Sequence, residues 1–333
     1  MKQVAITEPG RVEVREVEVP RPGPGEVLLR VLWGGICGSD LGTYRGTFLY
    51  ASYPRVPGHE FSAEVVEAGA GVDGLEPGTV VTANPYFNCG HCYACRRGFV
   101  NCCQQNQTMG AQRDGAFSRY LTMPADRVYR GGGVDARTLA LVEPFAISHH
   151  AVKRAAVHDG DRVLVIGAGA IGSFAAIAAS LAGASVWVAD IDPAKLEGLD
   201  SFGVAGVIAG GDGFAAGVAA VAPDGFDVCV EAVGAPATFG NAIAAAAHRG
   251  RVVQVGVGKQ SLDFFYTVLQ TKELDVFGSR NALREDFVEV IDLIGSGRVD
   301  LAPIVSATYP VADAPAAFAS AGSGRKTLLD FAD

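Results

Sequence analysis

The sequence predicts an α/β protein of two domains. One is a doubly wound parallel sheet; the other is β-rich and discontinuous, made from the chain before and after it. Three observations carry this. A glycine-rich turn, Gly167-x-Gly169-x-x-Gly172, stands between an apolar strand pattern and a helix pattern. Five of the seven cysteines fall between Asn88 and Cys103. The 333 residues exceed what a single core comfortably organises.

Composition removes several classes. Hydrophobic residues at 49% and charged residues at 19% fit a globular chain and exclude a largely disordered one. The net charge of -9, with no basic run longer than Arg96-Arg97, lacks the footprint of a nucleic-acid binder and gains nothing at an anionic membrane. The opening MKQVAITEPGRVEVREV alternates apolar and charged residues, reads as a strand, and has no apolar signal core. A soluble, cytoplasmic protein is expected.

In a reducing compartment, clustered cysteines point to metal ligands before disulfides. The spacing Cys89-x2-Cys92-x2-Cys95-x7-Cys103 lets four thiolates wrap one zinc ion tetrahedrally, with Cys102 a neighbour and His91 a possible competitor. Four protein ligands leave no open position, so this zinc is structural. Of the two cysteines outside the lobe, Cys229 lies in the apolar strand pattern FDVCVEAV and reads as packing. Cys37 sits among glycines in GGICGSD, and PGHEF follows with His59 and Glu60.

The nucleotide-binding half begins with DRVLVI, a buried strand, then Gly167, Gly169 and Gly172, then the helix SFAAIAASLA. Glycines there permit a tight turn and close approach to a pyrophosphate, and the helix start at Ala170 and Ile171 offers free N–H groups. The next strand, SVWVAD, ends at Asp190, where a carboxylate would accept the ribose hydroxyls and repel a 2′-phosphate. This is the pattern of a Rossmann fold that takes NAD. Lys195, one turn into the following helix, could reach the ribose or stand solvated. Later strands at FDVCVEAVG, GRVVQVGVG and ELDVFGSR bring Val233, Val257, Ser279 and Arg280 to the cofactor-binding set. The Ala- and Gly-rich stretch 205–225 is weakly patterned. The NAD-binding domain is expected at 151–282, with 1–150 and 283–333 forming the catalytic domain.

With these pieces in place, the chain closely resembles the zinc-dependent medium-chain dehydrogenases, in their sorbitol dehydrogenase-like polyol and sugar-acid branch. The carriers are GGICGSD, PGHEFSAEVVEAGAGV, the four-cysteine lobe, LVEPFAISHHAV, GAGAIG and VGVG, nearly the full length of the chain. FGSRNALREDF is similar to bacterial dehydrogenases of hexonic acids such as galactonate. The resemblance implies a GroES-like catalytic domain and a second, catalytic zinc held by Cys37, His59 and either Glu60 or Glu143. It also implies Ser39 as acceptor of the substrate proton, hydride transfer to NAD, and assembly as a homodimer or homotetramer. One position departs from the family: the relay histidine three residues after Ser39 is replaced by Gly42. Solvent, Tyr44, His149, His150 or Glu143 could take over that step.

Arg280 could pair with a substrate carboxylate, with Glu143 or with the cofactor, and Phe48, Tyr50 and Tyr53 could wall the pocket or simply pack. The expected reaction is oxidation of a secondary hydroxyl on a polyol, sugar or sugar acid. Alternatives are a threonine- or diol-type dehydrogenase and a non-catalytic NAD-binding protein of the same fold.

Overall fold

The computed structural model describes residues 1–258 and 260–332. Its contacts divide the chain into two compact units, Met1–Glu143 with the segment from Leu283 onward, and Pro144–Ala282. The second unit starts at Pro144, within the helix Val142–Arg154, which begins inside the LVEP motif and leaves Val142 and Glu143 with the first unit.

The first unit is built on a seven-stranded sheet around Glu26–Ile36. This strand pairs antiparallel with Glu60–Ala68, with Lys326–Asp330 and with Tyr120–Pro124. Lys326–Asp330 lets the end of the chain return to the centre of its first half. Val80–Ala83, Val128–Arg130 and Val305–Pro310 complete the sheet. Its alternating inward side chains, Val27, Leu29 and Val31, join Phe61, Phe117, Phe318 and Phe331 in one core. The first sixteen residues form two strands rather than one. Lys2–Glu8 and Arg11–Glu16 pair antiparallel, since Pro9-Gly10 turns the chain with Gly10 at φ 80°.

Glycines in this unit make space for a ring. A Cβ on Gly34 would lie 2.6 Å from Phe117, and one on Gly58, at φ 95°, would lie 2.1 Å from it. Phe117 therefore occupies the volume that two other residues give up.

The second unit is a six-stranded parallel sheet in the order Gly206–Ala209, Ser185–Asp190, Arg162–Ile166, Phe226–Glu231, Ala246–Gln254, Asp275–Gly278. Its central strands, Arg162–Ile166 and Phe226–Glu231, are near-continuous apolar runs because helices cover parallel sheets on both faces. The strand Gly206–Ala209 and the helix Phe214–Val221 fall in the stretch that carries no clear pattern. An edge strand of four residues and a helix written in Ala, Gly and Val lack the polar face that makes periodicity visible. Cys229 is fully buried in its strand, and burial pushes its thiol far up, as expected of a packing residue. No helix among the described residues is long and apolar enough to cross a membrane.

Gly58→Ala should lower stability by about 2–5 kcal/mol, combining left-handed backbone strain with overpacking against Phe117. Urea unfolding followed by tryptophan fluorescence checks this; a midpoint within error of the wild type would refute the account.

Candidate functional site

The cysteine lobe brings the Sγ atoms of Cys89, Cys92, Cys95 and Cys103 within 4.8 Å of one another. Backbone N–H groups point at the sulfurs: Cys89 donates to Cys103 (3.2 Å), Cys92 to Cys89 (3.3 Å) and Gln105 to Cys103 (3.3 Å). Such donors favour the thiolate, and the Cys89 and Cys92 thiols are drawn below their usual range, chiefly by backbone hydrogen bonds. His91 turns away, its Nδ1 against the Cys89 carbonyl at 2.9 Å, and Cys102 is exposed beside the quartet. The donor set fits one zinc ion with no position left over.

The second cluster is buried in the first unit. Cys37 precedes the short helix Gly38–Tyr44, and its N–H donates to Asp40 Oδ2 at 3.0 Å. The other Asp40 oxygen accepts the Gly58 N–H at 3.0 Å. One buried carboxylate thus ties the helix start to the turn that presents His59, whose Nδ1 stands 3.9 Å from it. Burial raises the Asp40 carboxyl, with His59 opposing. For His59, burial works against the charge, but Cys37, Asp40 and Glu143 hold it well above the usual imidazole range.

Glu60 opens the strand Glu60–Ala68 directly opposite Gly35. A Cβ on Gly35 would lie 2.3 Å from Glu60 Oε2, so the glycine pair in GGIC is the space that this side chain occupies. Both Glu60 oxygens accept from Lys326 Nζ, at 2.7 and 2.6 Å, in a pair that is 1% and 4% exposed. Ligand atoms of Cys37, His59 and Glu60 lie within 4.8 Å of one another; Glu143 is outside that set. Glu143 is nevertheless in the same buried cluster. Its Oε1 accepts a short hydrogen bond from the Tyr86 hydroxyl, while its Oε2 is buried with no partner, as is His59 Nδ1. Burial pushes the Glu143 carboxyl up to about 7, with His59 opposing and Glu60 adding. The Tyr86 phenol is raised well above its usual range, by burial and then by Glu143, and stays a donor.

A thiolate, an imidazole and a carboxylate, with unpartnered buried donors beside them, fit a zinc ion whose coordination is incomplete. Ser39 lies on the first turn of the same helix and is half-buried. A Cβ on Gly42 would lie 3.2 Å from Phe48 Cβ, so Phe48 stands against the place where a relay side chain would start. Tyr44 packs on Phe318 with ring centroids 5.8 Å apart, inside the core rather than at the cluster. Tyr50 is exposed on the edge of Phe48, and Tyr53 donates to the Thr43 carbonyl.

In the second unit the turn Gly167–Gly172 joins the strand Arg162–Ile166 to the helix Ala170–Leu181. A Cβ on Gly172 would lie 1.7 Å from the Gly167 carbonyl oxygen, and Gly167 itself needs φ 105°. Nothing lies within 4 Å of a Cβ on Gly169, which leaves the helix start open for a phosphate. Asp190 Oδ2 accepts the Ala168 N–H at 2.7 Å and Oδ1 accepts the Asp192 N–H at 2.9 Å, which fixes the carboxylate at the end of its strand. Ala170 and Ile171 form the first turn of the helix. Val233 and Val257 are exposed on two loops in backbone contact; a Cβ on Gly234 would meet the Val257 carbonyl at 2.5 Å. Ser279 and Arg280 follow the strand Asp275–Gly278, the serine Oγ buried without a partner. Lys195 lies in the short helix Pro193–Leu196, half-buried.

Sequence reasoning overlooked Lys326, Tyr86 and the role of Asp40. Asp40 is adjacent to Ser39 in the same motif and was within reach. Lys326 and Tyr86 sit in KTLLDF and NPYF, which carry no local sign of their partners.

The parallel sheet with an open glycine turn and the thiol–imidazole–carboxylate trio define a metal- and nucleotide-dependent oxidoreductase. Comparison with known proteins makes this specific. The family model of the alcohol dehydrogenase GroES-like domain matches residues 23–132, and that of the zinc-binding dehydrogenase matches 170–296. L-galactonate-5-dehydrogenase of Escherichia coli (strain K12) is 36% identical over 94% of this chain and 92% of its own. L-threonine 3-dehydrogenase of Pyrococcus horikoshii is 35% identical over 92% of each. The crystal structure of galactitol-1-phosphate dehydrogenase from Escherichia coli superposes with a TM-score of 0.92 at 29% identity, covering 99% of this chain and 100% of that one. The chain belongs to the zinc-binding alcohol dehydrogenase family.

Lys326→Met should cost the metal-free protein about 3–5 kcal/mol, because it leaves the Glu60 charge buried and unpaired. Adding Glu60→Gln should recover part of that loss. Denaturation of the single and double variants at equal metal content checks this; simple additivity would show that the pair is not coupled.

Proposed function

We propose that the protein oxidises a secondary hydroxyl of a polyol, sugar or sugar acid, with NAD as hydride acceptor. The observation that carries this reading is the Cys37–His59–Glu60 trio, its thiol half-buried and its imidazole and carboxylate buried, whose mixed donor set leaves coordination to complete. A zinc ion held there would polarise a substrate hydroxyl and lower its pKa toward neutrality. In this reading Cys37, His59 and Glu60 are its ligands, with Glu143 beside them as alternative or outer carboxylate. Cys89, Cys92, Cys95 and Cys103 hold a second, structural zinc. Residues 1–150 with 283–333 form the catalytic domain, and 151–282 the NAD-binding domain.

Asp40 orients His59 by fixing the turn that carries it. Lys326 holds Glu60 and answers its charge. Ser39 takes the hydroxyl proton. With Gly42 packed against Phe48 and Tyr44 in the core, the proton passes from Ser39 to solvent without a histidine. Gly167, Gly169, Ala170, Ile171 and Gly172 bind the pyrophosphate, and Asp190 the ribose, with Lys195, Val233, Val257, Ser279 and Arg280 completing the cofactor site.

A sugar-type substrate is supported by the galactonate and galactitol phosphate relatives. L-threonine is the specific alternative, since a threonine dehydrogenase is nearly as similar. A zinc site built from four thiolates, which disulfide formation would destroy, supports a reducing, cytoplasmic location. Self-association as a homodimer or homotetramer is supported by the strand Asp275–Gly278. It is one of the two edge strands of its sheet, with Val257, Phe265, Tyr266 and Val276 exposed in the same unit.

Incubating zinc-loaded protein with NAD and a panel of polyols, hexonic acids, diols and L-threonine, with zinc counted on the same sample, should give NADH with one or a few hydroxylated acids or polyols at two zinc ions per chain. Turnover of threonine alone would replace the sugar reading, and one zinc without turnover would leave a non-catalytic NAD-binding protein. Asp190→Ser should shift the NAD:NADP preference toward NADP by about 10–100-fold, or about 1.4–2.8 kcal/mol. An unchanged ratio of kcat/KM values would remove Asp190 from cofactor selection.

A further inference from the structure

Glu143 poses a question that the metal reading leaves open. It is buried in the cluster, yet its ligand oxygens are outside the set formed by Cys37, His59 and Glu60. Its two oxygens are unequal: Tyr86 occupies Oε1, and Oε2 has no partner. Glu60, by contrast, has both oxygens held by Lys326. The two carboxylates are therefore fixed in different ways, one by an ammonium and one by a phenol.

The phenol is well anchored. Tyr86 belongs to the two-residue strand Tyr86–Phe87, which pairs with Gln107–Thr108 and closes the base of the cysteine lobe. Its N–H donates to Asn84 Oδ1 at 2.9 Å, and its carbonyl accepts from Arg127. Arg127 continues to Asn88 Oδ1 at 3.0 Å, and Asn88 donates to Cys95 Sγ at 3.8 Å. The Tyr86 ring meets Phe287 edge-on at 6.5 Å. A tyrosine 5% exposed and held at ring, N–H and carbonyl has no freedom to move its hydroxyl. Its one hydrogen bond to Glu143 fixes that carboxylate's rotation.

We infer that Tyr86 is a positioning residue of the metal cluster: it holds Glu143 by Oε1 so that only Oε2 is offered to the Cys37–His59–Glu60 trio. The carboxylate acts through a single oriented oxygen, as an outer-sphere partner whose hydrogen-bond acceptor stays aimed. Groups of this kind typically change metal affinity by about 10–100-fold when they are removed. This inference rests on the proposed metal site, and adds to it the residue that sets the second carboxylate.

The test is a double-mutant cycle on zinc affinity, measured by competition with a chelator of known strength after the tighter lobe zinc has been accounted for. Tyr86→Phe keeps the ring and its packing and removes only the hydroxyl. It should weaken zinc binding at the buried site by about 10–100-fold. Glu143→Gln should have a similar effect, and the double variant should be no weaker than Glu143→Gln alone, because Tyr86 acts through Glu143. Cobalt bound in place of that zinc should show the same order in its visible bands, wild type distinct and the three variants alike. A tyrosine that merely stabilises the fold would lower the unfolding midpoint and leave affinity and spectrum untouched. That result, or additive losses, would overturn the inference while wild-type protein still held two zinc ions. Wild-type protein that held only the lobe zinc would overturn the dehydrogenase reading, and this inference with it.

Discussion

The first unit depends on keeping charge inside an apolar sheet domain. Asp40, Glu60 and Glu143 are three carboxyl groups, each 1% exposed. Isolated burial of a carboxylate costs several kcal/mol, so each needs an answering group. Lys326 gives Glu60 an ammonium at 2.6 Å, Tyr86 gives Glu143 a hydroxyl, and Asp40 takes two backbone N–H groups. These partners explain the architecture. Lys326 arrives on the last strand, which pairs with the second half of Glu26–Ile36 and so delivers the ammonium beside Glu60. Without that return of the chain the carboxylate could not stay where it is.

Space is the second constraint, and glycine supplies it. Gly35 leaves the volume that Glu60 fills, while Gly34 and Gly58 leave that of Phe117. In the second unit Gly167 and Gly172 close a turn that no Cβ would permit, and Asp190 locks it by accepting the Ala168 N–H. In both units the glycines sit where a functional group or a backbone must come close. They are not a general source of flexibility.

How much of this was legible in the sequence follows from contact range. The glycine turn, the strand ending at Asp190 and the four-cysteine lobe are readable because their parts lie within a few dozen residues and their spacing is itself the geometry. The space that Gly35 makes for Glu60 and the Asp40 bridge needed the fold, although the residues are close in sequence. Lys326 and Glu60 are separated by 266 residues, and Tyr86 and Glu143 by 57, so no window contains either pair. The strand Gly206–Ala209 and the helix Phe214–Val221 escaped for a different reason: their Ala, Gly and Val residues give no contrast between faces. Gly42 was visible as a missing histidine, but only the structure shows Phe48 packed against it.

The two clusters of metal-binding residues also show why their ligands differ. Four thiolates around a dication sum to a charge of -2, which a surface lobe can carry because water and inward N–H groups solvate it. In the second cluster Cys37 is half-buried, while His59, Glu60 and Glu143 are buried. There, a dication and the Lys326 ammonium would face four acidic groups, Cys37, Asp40, Glu60 and Glu143, and the total reaches zero when one of the four keeps its proton. The protein's own groups show the same pull toward neutrality, with His59 held well above its usual range and burial pushing Glu143 up to about 7. A fourth thiolate in place of that mixed set would fill the open position and add charge that the interior could not answer. In the proposed reading, a carboxylate held by Tyr86 outside the trio leaves that position open to a substrate hydroxyl.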